Sequence, residues 1–298
     1  MDLKQLRFLV ALDETRHFGQ AAERCHVTQP TLSMRLRNLE DELGLALVRR
    51  GQRFEGFTAE GERILAWARS LLAAQDGLLA EAAACRGQLV GTLRLGVVPL
   101  GGLDPLRLLG HLAQAHPHLR FALSVRSSEE ILDDLTRNRL DLGLGYLDRL
   151  DTRHFASLPL CDTRIGLLYH PDHFQPGEAP VGWARVAELP LGLLSSGMHF
   201  RQSIDHALRS RGLAPCLRLE TDAVHPLLQA VAAGFCCTPM PLASGLDTLH
   251  PALRLVPIED ARTLAPLGLI RRLGEPRSAL AEACFETART LMPTLPPA

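Results

Sequence analysis

The chain has 298 residues, of which 46% are hydrophobic and 22% charged, with a formal net charge of −1. This composition suits a folded chain with room for two or three cores, and it excludes a disordered or collagen-like polymer. It also excludes a chain that is basic all over, so any polyanion-binding surface must be sought segment by segment.

The opening MDLKQLRFLVALDETRHF has a short apolar run broken by charge and no small-residue cleavage site. No apolar stretch reaches the roughly 18 residues of a membrane span. A cytoplasmic location is expected. The seven cysteines (25, 85, 161, 216, 236, 237, 284) are scattered and odd in number, so they are expected to be free thiols.

Leu3, Leu6, Leu9 and Val10 recur at helical spacing over residues 3–14. A short alanine-rich helix follows, with Ala21, Ala22 and Cys25 inward, and then a tight turn at His26-Val27. Thr28 is a good N-cap for a third helix. Pro30 falls in that helix's first turn, where its missing N–H costs nothing. On a helical wheel Leu32, Leu36, Leu39 and Leu43 form one stripe. The opposite side carries Pro30, Thr31, Met34, Arg37 and Asn38, flanked by Gln29 and Ser33. Short hydroxyls, amides and a guanidinium are the groups that hydrogen-bond base edges and phosphates. Two short helices joined by a tight turn, the second with such a face, read as a helix-turn-helix. Residues 45–58 read as strand, turn at Gly51, strand: a wing carrying Arg49, Arg50 and Arg53. Residues 24–53 hold six arginines against three acids, a local charge of +3 in a chain that is −1 overall. An amphipathic helix beside a solvated basic loop in any small helical domain would show the same spacing.

The segment FGQAAERCHVTQPTLSMRLRNLEDELGLALVRRGQRFEGFTAEGERIL (18–65) closely resembles the winged helix-turn-helix of LysR-type transcriptional regulators. The signature is dense and ordered: AA, then V-T-QP-x-L-S, then LE-x-x-LG, then the arginines of the wing, then T-x-x-G. One position departs from it: Met34 stands where members often carry Arg or Gln. Carried over position by position, the resemblance implies DNA contacts by Gln29, Pro30, Thr31, Ser33, Arg37, Arg50 and Arg53. Arg35 lies near the buried edge of the wheel and ranks lower.

Residues 59–86 contain no proline, and Ile64, Leu71 and Leu78 recur every seven residues, as do Leu65, Leu72 and Leu79, with Trp67 adding bulk. Two adjacent apolar columns at that spacing suggest a coiled-coil seam. A long helix packed on its own domain is the alternative. The resemblance implies a linker-helix dimer, a pseudo-palindromic double-stranded DNA site and assembly into a tetramer, and leaves room for contact with RNA polymerase.

Beyond residue 87 strands at 92–98, 121–125, 140–146, 165–170, 189–195 and 236–240 alternate with helices at 103–115, 129–138, 200–211 and 224–233. This is an α/β pattern, expected to have largely parallel sheets. The expected organisation is a DNA-binding domain over 1–58, a linker helix over 59–88 and an effector-binding domain over 89–298. The resemblance implies that the last resembles periplasmic solute-binding proteins, with one lobe about 91–161 plus 267–298 and another about 162–266. Ligands of open α/β sheets bind off the carboxyl ends of strands, near helix N-termini. That places the candidates at Pro99, Leu100 and Gly101, at Ser127 and Ser128, at Tyr146, at Ser195, Gly197, His199 and Phe200, and at Thr221 and Asp222. Hydroxyls and helix-terminus donors suit a small anionic effector, whose identity the sequence does not give.

Peroxide-sensing members of the family use a reactive cysteine in the segment matching 195–203, which here reads SSGMHFRQS. Thiol-peroxide sensing is therefore disfavoured. Neither a C-x-x-C zinc pattern nor a G-x-S-x-G, Walker or dinucleotide fingerprint occurs, so no metal, cofactor or catalytic residue is expected. A plain solute-binding protein would have no need of residues 18–58, and an α/β enzyme would need a catalytic constellation that the sequence does not offer.

Overall fold

A computed structural model describes residues 1–50, 54–84, 89–100, 102–148, 150–161, 163–244, 250–274 and 278–291. It divides into two compact units, one built on Met1–Gly91 with 136–139 and 276–280, the other on the remainder.

The first unit opens with α1 (Leu3–Thr15), started by a reciprocal capping box in which Asp2 and Gln5 exchange side-chain-to-backbone hydrogen bonds of 2.8 and 2.7 Å. Helix α2 (Phe18–Arg24) is capped by His17, whose Nδ1 accepts from the amides of Gly19 and Gln20 at 3.1 and 3.3 Å. Helix α3 (Gln29–Leu43) starts at Thr28 with proline in its first turn, as the sequence predicts, and ends on Gly44 in the left-handed region. Leu32, Leu36 and Leu39 are 0, 1 and 0% exposed, packed with Leu6, Leu9 and Leu12 of α1.

Strands β1 (Val48–Arg50) and β2 (Phe54–Phe57) form the antiparallel wing. Glu40 of α3 anchors it, accepting from the amides of Leu47 and Val48 at 2.9 and 3.1 Å. The long helix α4 (Ala59–Ala84) follows. Thr58 joins wing to helix: its hydroxyl donates to the Ala46 carbonyl at 2.7 Å and accepts from the Gly61 amide at 2.9 Å. A Cβ on Gly61 would overlap the Leu47 carbonyl oxygen. The T-x-x-G motif is thus a cap followed by a close backbone crossing.

The second unit holds two sheet systems. In the first, the strands β3 (Gly91–Val97), β4 (Leu119–Val125), β5 (Leu142–Tyr146), β6 (Phe155–Cys161) and β12 (Leu267–Arg272) run in the order β4-β3-β5-β12-β6. Helices α5 (Pro105–Ala115), α6 (Ser128–Thr136) and α10 (Ala279–Leu291) accompany it. The second system contains β7 (Arg164–Tyr169), β8 (Pro190–Leu194), β9 (Cys216–Thr221), β10 (Thr238–Pro241) and β11 (Arg254–Arg262). There β10-β7-β11 is antiparallel, β8 and β9 are parallel, and a bridge from Leu191 to Cys237 links the two groups. Its helices are α7 (Trp183–Glu188), α8 (His199–Arg209) and α9 (Val224–Ala232). The expectation of largely parallel sheets is corrected. β3 and β5 are parallel, but β12 runs antiparallel to both β5 and β6, because it is the returning strand after the chain has built the second sheet system.

Candidate DNA interface and effector site

On α3 the side opposite the leucine stripe is open. Gln29, Pro30, Met34, Arg37 and Asn38 are exposed, and Thr31 and Ser33 half-exposed. Thr31 and Thr28 share a 2.9 Å hydroxyl hydrogen bond, so the start of the helix is rigid. Arg35, itself exposed, lies 3.8 Å from Asp2 at the start of α1. Arg49 on β1 is exposed. Arg53 lies outside the described residues, as do the Arg50 side chain, Gly101 and Cys85. The structure therefore gathers Gln29, Pro30, Thr31, Ser33 and Arg37 on one face.

On α4 both apolar columns are buried near the start of the helix and exposed further along it. Leu65 is 1% exposed and belongs to the core of its own unit, with Ile64 and Leu72 packed partly against that core. Its expected role in dimerisation is corrected: α1 already covers it. Trp67, Leu71, Leu78 and Leu79 remain 69, 43, 69 and 57% exposed. That large apolar surface runs along a helix held to α1 by the Arg69–Asp13 ion pair and by a 3.0 Å bond from Arg7 to Gln75.

In the second unit the strand ends come together around His199. Tyr146 ends β5 and His199 starts α8, and their rings stack with centroids 3.9 Å apart and planes at 15°. His199 Nε2 lies 3.1 Å from Asp148 Oδ1, and the histidine side chain is only 8% exposed. Burial raises the Tyr146 phenol, and the neighbouring acids Cys161 and Asp148 raise it further, so the hydroxyl stays protonated. It donates to the Leu100 carbonyl at 3.5 Å, a long bond. Met198, the N-cap of α8, makes no side-chain cap bond, and the nearest carboxylate to that helix terminus is Asp148.

Arg201 fixes the site from behind. It bonds Asp205 at 2.8 Å, the Leu194 carbonyl at 2.7 Å and Glu220 at 2.9 Å, joining α8 to the ends of β8 and β9. The Ser195 amide donates to the Thr221 carbonyl at 2.9 Å and ties the same strand ends together. Gly102 lies so close to Thr163 that a Cβ would come within 2.6 Å of its methyl carbon, so the chain after β3 passes tightly against the start of β7.

Other candidates are spent elsewhere. Ser127 and Glu130 cap α6 reciprocally at 2.8 and 3.2 Å. The Thr221 hydroxyl closes a local turn with the Ala223 amide at 3.2 Å. Phe200 is corrected as an effector contact: at 3% exposed it packs with Ile204 and Leu208, the one-face stripe that seats α8 on its sheet. Pro99 and Leu100 are half-buried, Gly197 and Asp222 are exposed, and the Ser128 hydroxyl is buried with no hydrogen-bond partner among the described residues. Sequence reasoning missed Asp148 and Arg201. The Arg201/Asp205 spacing was visible as an i, i+4 pair, whereas the meeting of Asp148 with His199 depends on a contact between elements.

Residues 3–62 match the family described as bacterial regulatory helix-turn-helix protein, lysR family, and residues 86–293 match the LysR substrate binding domain. The chain belongs to the LysR family. It is a DNA-binding transcriptional regulator with an effector-binding domain. It is 31% identical over 303 residues to the DNA-binding transcriptional dual regulator OxyR of Escherichia coli, covering 98% of this chain and 96% of that protein. It is 32% identical over 308 residues to a probable hydrogen peroxide-inducible genes activator of Streptomyces viridosporus, covering 99% and 95%. A full-length cysteine-to-aspartate variant of OxyR from Pseudomonas aeruginosa superposes with a TM-score of 0.72 at 26% identity, covering 98% and 94%. The LysR-family regulator CbnR shares the fold, with a TM-score of 0.73 at 20% identity, covering 97% and 99%. The family members are transcription regulators, and no helix among the described residues is long and apolar enough to cross a membrane.

Proposed function

We propose that this regulator works in the cytoplasm as a homo-oligomer on a pseudo-palindromic promoter site, and that a small anion bound beside His199 switches it, in place of thiol oxidation. The observation that carries the reading is His199 itself. It stands in the segment 195–203, which holds no cysteine, stacked 3.9 Å from Tyr146 and 3.1 Å from Asp148 at the start of α8. An imidazole at the start of a helix that has no side-chain cap suits a carboxylate or an inorganic oxyanion.

The apolar run Trp67, Leu71, Leu78 and Leu79 on α4 supports self-association, first as a dimer and then as a tetramer. The protein acts by binding and carries out no catalysis. Sensing of peroxide is the second reading, favoured by the relatives named for it. It would have to act on a cysteine elsewhere, and Cys216 is exposed and Cys161 half-buried.

The test is a thermal-shift panel of small organic and inorganic anions on the full-length protein. A ligand at a hundred times its dissociation constant adds about 2.7 kcal/mol of stability. An anion that raises the melting temperature of the wild type and not of His199→Ala supports the proposal. Stabilisation by a neutral ligand alone, or an equal shift in both proteins, refutes it.

A further inference from the structure

On α3, Met34 is 54% exposed while the three leucines of the opposite stripe are essentially buried. It is the only strongly exposed large apolar side chain on that helix. Its wheel position lies between Pro30 and Arg37 on one side and Asn38 on the other, at the centre of the open face. Nothing in its own unit needs it there: the stripe below is complete, and Arg35 beside it turns back to Asp2. A solvated methionine at the centre of a face otherwise made of amides, hydroxyls and guanidinium gains nothing from water and offers no hydrogen bond to a base.

In the major groove, one base-edge feature is apolar: the thymine C5-methyl group. The unbranched thioether, with three rotatable bonds, can lie against such a group without demanding one geometry. We infer that Met34 is a specificity-determining residue that reads a thymine methyl in each half-site by apolar contact. This rests on α3 entering the major groove. It goes beyond the contacts of Gln29 and Arg37, because it assigns a preferred base to a position that hydrogen bonding cannot read.

The test uses uracil, which differs from thymine only by that methyl. Full-length protein is used to select a duplex from random-sequence DNA, and each thymine of the half-site is then replaced singly by uracil. Wild type should lose about fourfold in affinity at one position per half-site, the value of one methyl group withdrawn from water. Met34→Gln should lose nothing at that position while keeping its salt dependence and its losses elsewhere. Site selection repeated with Met34→Gln should no longer enrich thymine there. The inference is overturned if specific binding is retained and no uracil substitution separates the two proteins. If neither protein selects any sequence, the reading of α3 falls with it.

Discussion

At the scale of single residues, the thiols separate the two sensing readings. Cys236, Cys237 and Cys284 are each 0% exposed. Burial pushes their thiols up from 9.0 to about 11, 12 and 12 respectively. The thiolate is the reactive form, so at neutral pH these three are inert. Iodoacetamide at pH 8 should modify Cys216 in the folded protein and reach these three only after unfolding. Prompt native labelling of any one of them would contradict their placement. The sign of the pH effect follows from the same shifts. The folded state holds these protons more tightly than the unfolded chain does, so the stability they contribute is fully present below about pH 9. It should be lost progressively as pH rises from about 9 through about 11 to 12, measurable by urea unfolding at stepped pH in a reducing buffer. His199 belongs to the same scale. It occupies the cysteine-free segment with a ring stack and a neighbouring carboxylate, groups that bind and position without being oxidised by mild peroxide.

At the scale of elements, the DNA-binding unit was legible because its signals are local. Thr28 and Pro30 mark the start of α3 and Gly44 its end, and Leu32, Leu36 and Leu39 fill one stripe. The T-x-x-G motif has a local cause as well, in the crossing of Gly61 against Leu47. Gly61→Ala should therefore push wing and linker helix apart. Overpacking of this kind destabilises by about 1–3 kcal/mol, and the backbone oxygen cannot swing aside. The melting temperature and DNA affinity of Gly61→Ala should both fall. A variant as stable and as tight as wild type would show that the crossing is looser than described. The second unit was harder to read. Strands β6, β11 and β12 were missed; β6 and β11 contain Pro159 and Pro257, and each is outermost in its own sheet, where proline is tolerated. Leu65 was misplaced because the first turns of α4 serve the core of their own unit, and spacing alone does not say which partner covers a stripe. Asp148 and Arg201 escaped notice because their roles arise where separate elements meet.

At the scale of the whole molecule, the chain carries a DNA-reading head and a sensor of the LysR fold, and is similar to proteins named for hydrogen peroxide. The DNA-binding function is retained, and we propose that the thiol switch is not. The most direct measurement is footprinting of the reduced, full-length protein on fragmented host DNA, with and without hydrogen peroxide, and again with any anion that the thermal-shift panel selects. The expected result is a set of discrete pseudo-palindromic protected sites that peroxide leaves unchanged and the anion lengthens, shortens or shifts. A footprint that changes with peroxide and is restored by dithiothreitol would contradict it.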